Sequence, residues 1–215
     1  MRIALIHAVT VAVAPVHEAF ARLWPEAECT DLLDTALAVD RERDGELTAA
    51  MTRRIGVLAD YAAGTGAAGI LFTCSAFGEA IEAAAQTSPL PVLKPNEAMF
   101  EAALAAGQRI GMLATFEPSV AGMEDEFRAL AAQRGSGARI ETICVPGAMA
   151  ALKGGDGATH DRLLGEAAPR LAGCDAVVLA HFSTARAEPT VAPALPCPVL
   201  TAPGAAVTRL KSLLA

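Results

Sequence analysis

Two stretches of this chain carry the same pattern 107 residues apart. Gly69-Ile70-Leu71-Phe72-Thr73-Cys74-Ser75 is a short apolar run that ends in a cysteine and a serine, and Ala176-Val177-Val178-Leu179-Ala180-His181-Phe182-Ser183 repeats it, so that Cys74 falls on His181 (181 minus 74). The same offset carries Arg2-Ile3-Ala4-Leu5-Ile6 onto Arg109-Ile110-Gly111-Met112-Leu113, Phe20 onto Phe127 and Leu23 onto Leu130. It also carries Leu90-Pro91-Val92-Leu93 onto Cys197-Pro198-Val199-Leu200, and the register slips only between Cys29 and Thr48. A repeat this long sets the architecture before any local reading does. The chain is two copies of one unit.

Within each copy, apolar runs alternate with helical patterns. In the first, strands are expected over 2–7, 27–32, 68–73 and 90–94, with helices from near Pro15, over about 47–64 and after Cys74. Asp40 to Glu46 reads as a solvated loop, and Pro95 as the end of the fourth strand. The second copy repeats the order with strands over 109–114, 139–145, 175–180 and 197–201. Unbroken apolar strands with helical crossovers imply parallel sheets covered on both faces. The fold class is therefore α/β: two pseudo-symmetric lobes, each a parallel four-stranded sheet flanked by helices, with an active-site cleft between them. The lobes are expected at residues 1–94 and 95–203, and the closing helix within 204–215 is expected to pack on the first.

Composition narrows the function. A net charge of −7 with no run of Lys or Arg argues against a nucleic-acid partner, which needs a concentrated basic face. No stretch has about 18 uninterrupted apolar residues, so no membrane span is expected. Met1-Arg2-Ile3-Ala4-Leu5-Ile6-His7 runs straight into a strand without the features of a signal peptide. Five scattered cysteines, none at metal-ligand spacing, suit a cytoplasmic protein with free thiols and no metal site. Gly64-Thr65-Gly66-Ala67-Ala68-Gly69 has dinucleotide-like glycines but leaves a helix and enters a strand, the reverse of the fingerprint.

Ligands of parallel sheets sit beyond the carboxyl ends of the strands. That rule gathers His7 and Thr10, Thr115, Cys74 with Ser75, His181 with Phe182 and Ser183, and Asn96. A helix N-terminus after Cys74 would lower its pKa and favour thiolate. Against this stands the plain reading of Cys74 as a small buried hydrophobe, which is how Cys29, Cys144, Cys174 and Cys197 are taken. His181 could instead cap its strand, and His7 bond to backbone; His17 and His160 lie on helical segments and are expected at the surface. Ser75, Ser183, Thr10, Thr115 and Asn96 are ordinary cap and turn residues whose neighbouring N–H groups also make a carboxylate site.

On these residues the chain resembles the aspartate/glutamate/hydantoin racemase superfamily, whose relatives include maleate isomerase and arylmalonate decarboxylase. The resemblance spans the whole chain and is sharpest at Phe72-Thr73-Cys74-Ser75 with Phe77-Gly78, and at its echo around His181. It implies a cofactor-independent enzyme in which two cysteines flank an acidic carbon, one removing a proton and the other returning one. It implies a small carboxylate or carbonyl substrate, and it allows a homodimer. This chain departs from the family at the second cysteine position, which holds His181. A histidine near its reference pKa can still accept or donate a proton. The expected activity is a racemase or isomerase using Cys74 opposite His181, with Ser75, Ser183 and Thr115 on the substrate oxygens and His7, Thr10, Asn96 and Phe182 lining the site. Two alternatives stay open: a cofactor-free decarboxylase of a malonate-like acid, and a non-catalytic protein that binds a small acid.

Overall fold

The computed structural model describes all 215 residues, and the chain divides into two compact units: Met1–Pro95 with Ala206–Ala215, and Asn96–Ala205.

In the first unit, β1 (Arg2–His7) leads through a 3-10 turn at Thr10–Ala12 into α1 (Val13–Leu23). Next come β2 (Glu28–Leu33), α2 (Thr35–Asp44), α3 (Ala49–Gly64) and β3 (Gly69–Phe72). A second 3-10 turn, Ser75–Phe77, opens α4 (Gly78–Thr87), and β4 (Val92–Leu93) closes the sheet. All pairings are parallel, in the order β2-β1-β3-β4. β1 and β3 are buried along almost their whole length, as strands with helices on both faces must be. Ile6, Phe72, Ile55, Phe77 and Ile81 form the centre of the core.

Of the solvated loop expected at Asp40–Glu46, Asp40 to Asp44 are instead the end of α2. Only Leu37 of that helix is buried, so apolar periodicity is absent and charge and caps hold it together. Asp34 caps its N-terminus, Gly45 ends it in the left-handed conformation, and Arg54 bridges Asp34 and Asp40.

The second unit opens with α5 (Glu97–Ala106), a helix absent from the sequence expectation. Pro95 ends the strand before it, and Met99, Phe100 and Ala103 supply a fully buried stripe. The order then repeats: β5 (Arg109–Ala114), a 3-10 turn at Glu117–Ser119, α6 (Val120–Gln133), β6 (Arg139–Cys144), α7 (Ala148–Lys153) and α8 (Gly157–Ala167). β7 (Ala176–Leu179), a 3-10 segment at Phe182–Ala187, α9 (Glu188–Val191) and β8 (Val199–Thr201) complete it, and α10 (Ala202–Leu214) begins there but belongs from Ala206 onward to the first unit. The sheet is parallel in the order β6-β5-β7-β8, the topology of the first. β5 follows β1, β7 follows β3 and β8 follows β4 by 107 residues, while β6 follows β2 by 111 (139 minus 28). The four extra residues lie between Leu130 and Arg139, just ahead of β6, and the offset returns to 107 by β7. Phe100 and Phe127 meet edge to face at 5.6 Å, and burying each ring contributes about 1.5–3 kcal/mol.

Two glycines mark where helices press on the sheets. A Cβ on Gly69 would come within 3.0 Å of Leu210 and 3.1 Å of Leu214, so the missing side chain lets the end of α10 lie on β3. At Gly111 a Cβ would meet Leu171 at 2.9 Å.

Candidate active site

At the carboxyl end of β3 the chain leaves the sheet through Thr73 and Cys74. Cys74 has an extended backbone and precedes the 3-10 turn Ser75–Phe77. Its thiol is pushed above the ordinary cysteine range by burial; the N–H of Ala76 and the charge of Arg41 pull the other way without prevailing. The expected thiolate is therefore corrected to a neutral thiol. Desolvation exceeds what a three-residue turn can return, since the helix proper begins only at Gly78. Arg41, which nothing in the local sequence singled out, donates from Nε to the carbonyl of Ala76 at 3.3 Å. It reaches the Cys74 turn from 35 positions away because α2 is a helix.

Thr73 connects Cys74 to a chain of hydrogen bonds that runs from the buried His7 out to the surface. Asp31 on β2 can only accept, so Nε2–H of His7 donates to it at 2.9 Å and Nε2–H of His17 at 2.8 Å. The hydroxyl of Thr73 then donates to Nδ1 of His7 at 2.9 Å. Burial lowers the pKa of His7, against the opposing pull of Asp31. Burial alone would raise Asp31, but its two histidine donors hold it below the usual carboxylate range. His7 is fully buried with both ring nitrogens committed, which leaves it no atom for a substrate. It supports Thr73 instead. His17, expected at the surface, is the partly exposed outer member of this chain. Thr10 is exposed at the turn after β1, and Ser75 is half-buried beside Cys74.

The second unit builds the equivalent strand end differently. His181 follows β7 as Cys74 follows β3, and it precedes the 3-10 segment Phe182–Ala187. Its backbone has φ 73° and ψ 150°, and no other non-glycine residue has a positive φ. This region suits glycine alone and costs another residue about 1–3 kcal/mol unless its surroundings impose it. Thr184 braces it: its backbone N–H donates to the carbonyl of His181 at 3.3 Å, while its hydroxyl, 2.8 Å from that same oxygen, gives its hydrogen to the nearer carbonyl of Ala180. Burial pushes the His181 pKa down to about 4. The expectation of a histidine near its reference value is corrected accordingly, and the ring is neutral at pH 7. Ser119, from the turn after β5, lies 3.2 Å from Nε2 of His181.

Around this end Phe182, Ser183 and Thr115 are all buried. The hydroxyl of Thr115 has no hydrogen-bond partner within the protein. Asn96 is fully buried at the start of α5, where its amide donates to Glu126 at 3.1 Å and its Oδ1 is likewise unpartnered. His160 is fully buried on α8, not at the surface, and Nδ1 lies 2.7 Å from Asp161. Of the four cysteines read as structural, burial drives Cys29 and Cys144 up to about 11. No group of three or more His, Cys, Asp or Glu side chains is placed to hold a metal ion. No helix is long and apolar enough to cross a membrane.

A family model described as Asp/Glu/Hydantoin racemase matches residues 8–210. No curated protein sequence matches the chain. Among solved structures, allantoin racemase from Klebsiella pneumoniae is 19% identical with a TM-score of 0.72, over 100% of this chain and 87% of the other. The aspartate racemase of Picrophilus torridus is 14% identical with a TM-score of 0.72, over 99% and 94%. A glycine-to-cysteine mutant of arylmalonate decarboxylase is 19% identical with a TM-score of 0.67, over 100% and 95%. At these identities the likeness is one of fold.

Proposed function

This chain belongs to the Asp/Glu/hydantoin racemase family, and on that premise we propose that it is a cofactor-independent isomerase moving a proton at an acidic carbon of a small carboxylate or carbonyl compound. The observation that carries the reading is the equivalence of Cys74 and His181. Each lies two residues beyond the third strand of its sheet and opens a 3-10 segment, and one of them is held in a backbone conformation that costs energy.

The charge states assign the first move. His181 is neutral and can accept a proton; Cys74 is a thiol and can give one. In the forward direction the substrate C–H breaks, its proton passes to His181, and its electron pair delocalises into the adjacent carbonyl or carboxylate. Cys74 then protonates the same carbon, and turnover in the other direction begins once the two residues have exchanged charge. A base as weak as His181 needs an acidic carbon and a well-held enolate. Thr115, with Ser183 and Ser75, is the hydroxyl set for those oxygens, and an unpartnered buried hydroxyl gains a partner when substrate binds.

The neutral thiol also favours a second reading. If carbon dioxide leaves a malonate-like acid, the remaining enediolate needs only one proton, and Cys74 carries it. Proton NMR in D2O separates the two, using hydantoins, amino acids, 2-hydroxy acids, maleate and substituted malonates as substrates. Deuterium uptake without carbon loss, absent in Cys74→Ala, supports the isomerase. Carbon dioxide release supports the lyase. Inactivity across the panel, together with an ordinary thiol pKa at Cys74, would leave a protein that only binds a small acid.

A further inference from the structure

Ser119 ends the 3-10 turn after β5, and its Oγ lies between two acceptors-in-waiting. It is 2.8 Å from the carbonyl oxygen of Phe116 and 3.2 Å from Nε2 of His181. A hydroxyl has one hydrogen. A carbonyl can only accept, so the shorter contact takes that hydrogen and leaves an oxygen lone pair toward the imidazole. A lone pair facing Nε2 requires a hydrogen on Nε2. In a neutral ring the vacant nitrogen is then Nδ1, and no other side chain of the protein hydrogen-bonds the ring. The opposite tautomer would set two acceptors against each other at 3.2 Å, or draw the hydroxyl off Phe116.

The backbone supplies the second restraint. The carbonyl of His181 accepts from the backbone N–H of Thr184, whose hydroxyl holds the preceding carbonyl of Ala180, and the φ of 73° at His181 lets the imidazole leave the strand end in a direction that ordinary extended backbone would not give. One end of the residue is fixed by Thr184, the other by Ser119.

The geometry points to Ser119 as a positioning residue that holds His181 in the Nε2–H tautomer and makes Nδ1 the atom that exchanges a proton with substrate. This deepens the isomerase reading and rests on it for the catalytic half of the claim. In the step itself the substrate C–H bond breaks, an N–H bond forms at Nδ1, and the electron pair remains on the substrate. The imidazolium keeps its Nε2–H on Ser119, so no proton on the far side of the ring has to move. Return of the Nδ1 proton restores the starting tautomer.

The test is a two-bond proton–nitrogen NMR correlation on histidine-labelled protein near pH 7. It would be run for wild type, Ser119→Ala and Ser119→Thr, with substrate deuterium exchange measured on the same three samples. Wild type should show His181 as a single Nε2–H tautomer. Ser119→Ala should show a mixture and lose about tenfold in exchange rate with little change in KM, and Ser119→Thr should restore both. An Nδ1–H tautomer in wild type, or a spectrum unchanged in Ser119→Ala, overturns the assignment. A shifted tautomer with an unaltered exchange rate overturns the catalytic half. The spectra need no turnover, so a protein inactive on every substrate would contradict the isomerase reading while leaving the tautomer result standing. Should Ser119→Ala fail to fold, the wild-type and Ser119→Thr spectra decide the tautomer alone.

Discussion

His7 and Asp31 are joined by a hydrogen bond of 2.9 Å between Nε2 and Oδ1, although 24 residues separate them in the chain. The bond exists because β1 and β2 pair in parallel with Leu5 opposite Asp31 and His7 opposite Leu33. Through it the buried end of β1 is tied to His17 on α1 and to Thr73, the neighbour of Cys74.

Asp31→Ala removes the acceptor of both histidines and leaves Nε2 of a fully buried ring without a partner. The expected cost is about 1–3 kcal/mol, read from urea denaturation. The pKa of His7 should fall further, since Asp31 raises it against burial, and a proton NMR titration would show this.

On the proposed mechanism, the pH dependence of activity follows from the two neutral groups. His181 works as a base only while unprotonated, so kcat/KM should fall as pH drops through about 4 rather than through the usual histidine range. Cys74 works as an acid only while protonated, and burial raises its pKa, so the alkaline limb should lie above the ordinary cysteine range. A plateau between the limbs is expected. Stability has a related signature. The unfolded chain protonates His181 near 6.5 and the folded one only near 4, so the unfolded state binds more protons between them. Stability should be complete above about pH 6.5 and decline as pH falls toward 4, by at most about 3 kcal/mol from this residue.

Arg41→Ala deletes the cation beside Cys74 and the donor that holds the Ala76 carbonyl. The thiol pKa should rise further, and alkylation by iodoacetamide at mildly alkaline pH should slow by about threefold.

Thr115→Val separates a binding role from a packing one. The hydroxyl has no partner in the protein, so an apolar replacement of the same shape should leave stability unchanged or raise it by about 1 kcal/mol. Activity should fall about 10-fold or more if the hydroxyl serves an enolate oxygen.

Much of this was legible in the sequence, and the exceptions share a cause. The 107-residue repeat located three of the four strand pairs: the central pairs β1 with β5 and β3 with β7, because strands buried on both faces must stay apolar in both copies, and the edge pair β4 with β8 through the shared Pro-Val-Leu. β2 and β6 are edge strands with exposed positions, and there the register drifted by four residues. α2 is not legible as a helix because its stability comes from Asp34, Gly45 and Arg54 rather than from an apolar stripe. The period of Met99, Phe100 and Ala103 marks α5, but it follows so directly on Pro95 that the segment also reads as the tail of a strand. Cys74 and His181 were visible as candidates by position. Their protonation states were not, since both depend on desolvation by residues distant in sequence, as does the service of Asp31, Arg41 and Ser119.

The most direct measurement is deuterium incorporation at the substrate carbon by wild type, Cys74→Ala and His181→Gly. Glycine is chosen at 181 because it accepts a φ of 73° without strain, so this variant should be about 1 kcal/mol more stable than His181→Ala and a loss of exchange cannot be blamed on the fold. The account predicts that wild type exchanges the proton and that each variant loses at least about 100-fold while remaining folded. Exchange at the wild-type rate in either variant would contradict it.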